Sequence, residues 1–139
     1  MKTVSRRDAR ICAVKLIYGF DFQKDADRDA FFDLVCAEGE IPHSDFSKEL
    51  FFGVCDHVEE IDKAIVDNAK TWRFDRIAKI SLAVMRVCAY ELLFTDTPAP
   101  IAINEAIEID KIFDSDEAPS FVNGVLNAIA RSKPQGGQS

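Results

Sequence analysis

From Asp45 to about Lys70, the apolar residues Phe46, Leu50, Val54, Val58, Ile61 and Ile65 step by four, four, four, three and four, with Asp, Glu and Lys between them. Steps of three and four stay on one side of an α-helix, so the run predicts a single long amphipathic helix. Ala9, Cys12, Ala13, Leu16 and Phe20 recur in the same rhythm. Ser5, with Asp8 three positions on, supplies a start signal resembling a capping box, and a helix is expected from about Ser5 to Phe22. Asp27 to about Cys36 is a weaker helical segment, closed by a loop at Glu38-Gly39-Glu40-Ile41-Pro42-His43-Ser44.

Between Ile80 and Phe94 only Ser81, Arg86 and Glu91 are polar, and at about 100° per residue they point three ways. A helix that is apolar all round belongs at the centre of a bundle, and this one is too short and too charged to span a bilayer, which takes roughly 18 residues. Pro98 and Pro100 separate it from a helix running from Pro100 to Phe113. Pro119, preceded by Ser115-Asp116-Glu117, opens a last helix to about Arg131. No alternating run and no glycine-rich turn between strand and helix competes with these elements, so the fold is expected to be all-α. Residues 1–134 read as one domain and residues 135–139 as a frayed tail.

Composition sharpens this picture. A chain of 139 residues, 47% of them hydrophobic, has the length of one core, and six Gly and five Pro leave no room for a fibrous or disordered class. Cys12, Cys36, Cys55 and Cys88 form no Cys-x-x-Cys pair, and His43 and His57 are the only histidines. Neither a zinc site nor a disulfide framework is expected, and the cysteines read as small apolar core residues. The Met-Lys-Thr-Val-Ser-Arg-Arg start lacks the apolar stretch of a secretory signal, which points to the cytoplasm.

The net charge of −7 argues at first against a nucleic-acid ligand. Residues 1–15, however, carry Lys2, Arg6, Arg7, Arg10 and Lys15 against Asp8 alone, so +4 sits at one end and −11 in the rest. On a helix Arg6, Arg7 and Arg10 fall within an arc of about 100°, a candidate phosphate-facing patch whose plain alternative is a solvated face. Glu105 and Glu108 share a helix face, but di-iron bundles take a Glu-x-x-His motif from each of two helices, and this pair carries no histidine. With no phosphate-cradling glycine loop either, no metal, cofactor or enzymatic chemistry is expected. Arg86 and Glu91, charged within an apolar helix, each need a partner from another element; an internal ion pair explains them without a ligand, and a binding role is the alternative.

Several motifs together resemble the NusB transcription antitermination family along nearly the whole chain. They are Arg6-Arg7-x-Ala9-Arg10-x-x-Ala13-Val14-x-x-Ile17-Tyr18, Trp72-x-x-x-Arg76-Ile77, Met85-Arg86-Val87-x-x-Tyr90-Glu91-Leu92, Pro100-x-Ala102-Ile103-Asn104-Glu105-Ala106-Ile107-Glu108, Lys111-x-Phe113 and Phe121-Val122-Asn123-Gly124-Val125-Leu126. The resemblance implies a bundle of about seven helices in two small subdomains. It also implies a non-enzymatic RNA-binding subunit that pairs with the ribosomal protein NusE on single-stranded boxA RNA of ribosomal leader transcripts, within the RNA polymerase antitermination complex.

Carried over by position, Lys2, Arg6, Arg7 and Arg10 would meet phosphates. Tyr18 and Phe121 would stack on bases, with core packing as the alternative for Phe121. An acidic face remote from the arginines, carrying Asp75, Glu105 and Glu108, would receive the basic ribosomal protein, and the resemblance supports the stretch from Asp75 and Arg76 through Ser81 for this role. Two other readings remain. One is a homodimeric, protein-only adaptor. The other is an RNA-binding module related to the N-terminal part of ribosomal-RNA cytosine methyltransferases, although the chain has no room for their cofactor domain.

Overall fold

The structure, a computed structural model, describes residues 4–23, 25–37, 44–69, 77–113 and 118–132. Its elements are α1 (Arg6–Asp21), α2 (Arg28–Ala37), α3 (Asp45–Asp56), α4 (Val58–Asn68), α5 (Lys79–Phe94), α6 (Ala99–Phe113) and α7 (Ala118–Ser132), with no strand among the described residues. The expected all-α bundle of seven helices is present.

Side-chain caps set several of the starts. Ser5 is extended, and its Oγ accepts the Asp8 N–H at 3.0 Å, which begins α1 one residue before Arg7. Asp27 accepts the Ala30 N–H at 3.0 Å ahead of α2. At α3, Ser44 and Ser47 cap reciprocally: the Ser44 Oγ accepts the Ser47 N–H at 3.2 Å and the Ser47 Oγ accepts the Ser44 N–H at 2.8 Å.

The single helix expected from Asp45 to about Lys70 is instead two, α3 and α4, which break at His57. The His57 backbone leaves the helical region at φ −120° and ψ 21°, while its N–H still donates to the carbonyls of Gly53 and Val54. Its ring stacks on Phe94 of α5 with centroids 4.0 Å apart. The apolar stripe continues in register across the break, since Val54, Ile61 and Ile65 are all buried, so periodicity carries no trace of the bend.

The apolar helix lies where its composition puts it. α5 packs against α1, α3, α4, α6 and α7, and every side chain from Ser81 to Leu92 is buried. α1 pairs with α2 and α3, α7 pairs with α4 and α6, α3 also touches α4, and α5 packs between the two groups. One continuous core runs through both, with Leu16, Leu50, Phe51, Ile61, Ile65, Met85, Ile109, Leu126 and Ile129 fully enclosed. Phe20, Phe31, Phe32, Phe51 and Phe52 make an aromatic knot between α1, α2 and α3, with neighbouring centroids 5.2 to 6.2 Å apart. Gly53 lets the Tyr90 ring lie directly on the α3 backbone, in space that a Cβ would need. Among the described residues no helix is long and apolar enough to cross a membrane.

Candidate nucleic-acid interface

The Ser5 cap places Arg6, Arg7 and Arg10 on the first turns of α1, where they line one groove with Thr97, Pro98, Ile101 and Glu105. The arc drawn from the sequence therefore does bring the three guanidiniums together, but it does not leave three free cations. Arg7 forms a bidentate pair with Glu105 of α6, Nε to Oε1 at 2.9 Å and Nη2 to Oε2 at 2.8 Å. These bonds hold the Glu105 carboxyl below the usual carboxylate range. Arg6 lies flat against a ring, its guanidinium carbon 4.0 Å from the centroid of Phe46, and has no carboxylate partner among the described residues.

Arg10 overturns the expectation of a phosphate contact. Its side chain is buried and grips Glu91 of α5 through Nε and Nη2 at 2.8 and 2.9 Å. The Thr97 hydroxyl adds a third bond to the same carboxylate at 3.1 Å. The groove thus has Arg10 at its floor, held from beneath by Glu91, under a more accessible rim of Arg6 and Arg7.

Further along α1, Tyr18 is 37% exposed and meets Phe22 edge to face with centroids 5.0 Å apart. Phe121, on the first turns of α7, is half-buried against the core, closer to its packing alternative than to an open stacking surface. Lys2, Asp75 and Arg76 lie outside the described residues.

The expected partner face changes as well. Ser81 is buried, and its hydroxyl donates to Asp110 of α6 at 2.9 Å, so it stands inside the bundle and offers no surface to a partner. Glu105 and Glu108 are not remote from the arginines: Glu105 binds Arg7 directly, and the charge of Glu108 also acts on Arg7 while its carboxylate accepts from Lys111 at 3.3 Å. Both acids balance the basic groove.

Arg86 has the internal partners that its burial demands. Asp62 of α4 takes its Nε and Nη2, both at 2.8 Å, and Asp21 of α1 takes Nη1 at 3.3 Å, with Lys79 3.4 Å from the same aspartate. Burial alone would lower the Arg86 pKa, yet the two aspartates outweigh it and raise the value. One cluster therefore ties three helices together. Reading the sequence missed Phe46 as the plate beneath Arg6, Thr97 as a donor to Glu91, and Phe22 as the neighbour of Tyr18. Only the last had a local signal, the spacing of four along an exposed face.

Comparison with known proteins places this architecture. A family model described as the NusB family matches residues 7–131. The transcription antitermination protein NusB of Sulfurimonas denitrificans is 37% identical over 131 residues, covering 93% of this chain and 98% of that protein. Among solved structures, NusB of T. maritima superposes with a TM-score of 0.82 at 30% identity, covering 98% of this chain and 97% of that one. A crystal structure of the antitermination factors NusB and NusE in complex with dsRNA matches with a TM-score of 0.78 at 27% identity, over 91% of this chain and 96% of that chain.

Proposed function

The chain belongs to the NusB family, and on that premise we propose that it is a transcription antitermination factor which, with the ribosomal protein NusE, binds boxA-type RNA of ribosomal leader transcripts and holds it to the polymerase antitermination complex. The observation that carries the reading is the groove at the start of α1, where Arg6 and Arg7 stand at the rim on the helix that also exposes Tyr18. Cations that meet phosphates beside an aromatic that can take an unpaired base are the elements of single-strand recognition. We place Lys2 with Arg6 and Arg7 on the phosphates, and Tyr18 on a base. The residues about Asp75 and Arg76 are reserved for the ribosomal protein, because Ser81, Glu105 and Glu108 are engaged internally or by the basic groove. The role is one of binding without catalysis, performed in the cytoplasm where the transcript emerges.

A net charge of −7 opposes RNA over most of the surface, so tight binding requires the basic partner. The test is a titration of a labelled single-stranded boxA oligonucleotide with the chain alone and with NusE. Binding strengthened by NusE, with a salt dependence that loses about 0.7 for each of Arg6→Gln and Arg7→Gln, supports the assignment. No RNA binding in either titration refutes it.

A further inference from the structure

Counting about 100° per residue along α1, Ile11, Tyr18, Phe22 and Lys15 lie roughly 40°, 20°, 60° and 80° from Arg7, so the five side chains share one stripe of the helix about 22 Å long. The surface confirms the wheel: Arg7, Lys15, Tyr18 and Phe22 are exposed and Ile11 is half-buried. Phe22 is the most open ring of the stripe, 61% exposed at the C-terminal end of α1. It is nevertheless held in place. Its backbone N–H donates to the Gly19 carbonyl at 3.2 Å, the next N–H, of Gln23, donates to the Phe20 carbonyl at 2.9 Å, and its ring meets Tyr18 edge to face. Lys15 sits between the arginine end and the two rings and has no ion-pair partner among the described residues.

We propose that this stripe is a track for single-stranded RNA that continues the groove of Arg6 and Arg7, with Lys15 taking a backbone phosphate and Phe22 stacking a further base beyond Tyr18. The inference rests on the RNA-binding reading above. Three features favour RNA over a protein surface as the occupant. The stripe carries two cations, Arg7 and Lys15, followed by two neighbouring rings, Tyr18 and Phe22, so it offers both charge for phosphates and ring faces for bases. Lys79, 58% exposed near the Phe22 end, adds a cation there while its contact Asp21 is turned toward Arg86. The stripe is also continuous with the arginine groove through Arg7. Two acids flank it on the wheel, Asp8 about 100° from Arg7 on one side and Asp21 about 40° on the other, and Asp21 is engaged by Arg86 and Lys79.

Fluorescence anisotropy of a labelled single-stranded oligoribonucleotide, boxA with leader nucleotides on both sides, tests this in the presence of NusE. Phe22→Ala and Phe22→Leu should each weaken binding roughly tenfold with an unchanged salt slope, since leucine keeps apolar area but has no ring face, and Phe22→Trp should restore it. Lys15→Gln should lower the slope by about 0.7. Both residues are exposed, so melting curves should match wild type. Wild-type affinity in Phe22→Ala and Lys15→Gln, with intact RNA binding by the parent chain, overturns the track and leaves the antitermination reading standing. Full affinity in Phe22→Leu, or loss of NusE binding without RNA, makes the patch a protein contact and also overturns it. Failure of the parent chain to bind RNA removes both readings together.

Discussion

The guanidinium of Arg10 and the carboxylate of Glu91 close a two-bond bridge inside the bundle, at 2.8 and 2.9 Å, across 81 residues of sequence. The bridge locks α1 to α5 beneath the basic groove. Removing one partner strands the other charge, so Arg10→Met or Glu91→Gln should each cost about 3–5 kcal/mol in denaturant melts, and Arg10→Met/Glu91→Leu should recover most of it. At protein concentrations and temperatures where the variants stay folded, Arg10→Met should leave the RNA salt slope unchanged. A lowered slope would return Arg10 to the phosphate-binding set.

Glu105 restrains Arg7. Its carboxyl is held below the usual range, so it is ionised at neutral pH; the stability it contributes is present above its unfolded pKa and is lost as pH falls through the depressed folded one. Glu105→Gln should therefore make acid unfolding less steep. It also removes the acid that competes with phosphate for Arg7, so RNA binding should tighten at low salt. A salt titration of wild type and variant at pH 7 measures this, and weaker binding by the variant would mean that the pair positions Arg7 for RNA.

Gly53 reverses the ordinary helix preference. Alanine in place of a mid-helix glycine usually gains about 0.5–1 kcal/mol, but here the new methyl would enter the Tyr90 ring. Gly53→Ala should instead destabilise by about 1–3 kcal/mol, and Gly53→Ala/Tyr90→Leu should regain part of that loss in the same melts.

The arginine arc shows how far local spacing reaches. It located the groove, because a helical wheel depends only on neighbours along the chain, but it could not sort a buried guanidinium from exposed ones, because Glu91 arrives from α5. The clue available was that Arg10 shares its helix face with Val14 and Ile17, both buried, and so points inward. Conversely, the demand that Arg86 and Glu91 find partners followed from burial cost alone and was met by Asp62, Asp21 and Arg10. The bend at His57 left no mark, because Val54 and Ile61 keep the helical step on either side of it. The family resemblance put Ser81 at the end of a partner-facing stretch, whereas Asp110 holds it inside from 29 residues away.

Thiol chemistry follows burial. The Cys12 and Cys55 thiols are pushed up to about 11, and Cys88 is raised further by complete burial, whereas Cys36 is raised less and stands closest to solvent. Labelling of the folded protein with a disulfide reagent at pH 8 should modify Cys36 first, Cys12 and Cys55 slowly, and Cys88 only on unfolding. Rapid reaction of Cys88 in the native state would contradict its enclosure.

The central position of α5 bears on how the molecule opens. Because it packs against five other helices, its amides between Ser81 and Leu92 have no route to solvent short of dismantling both helix groups, and their hydrogen exchange should track the global unfolding free energy. α2 is the opposite case: Phe32 is its one buried side chain, and it packs against α1 at the margin of the bundle. It should detach as a separate cooperative unit at a fraction of that free energy, leaving the stripe of α1 and the arginine groove intact. Excursions of the native state would then begin at Arg28 to Ala37 while the helix that carries the RNA-facing residues keeps its shape.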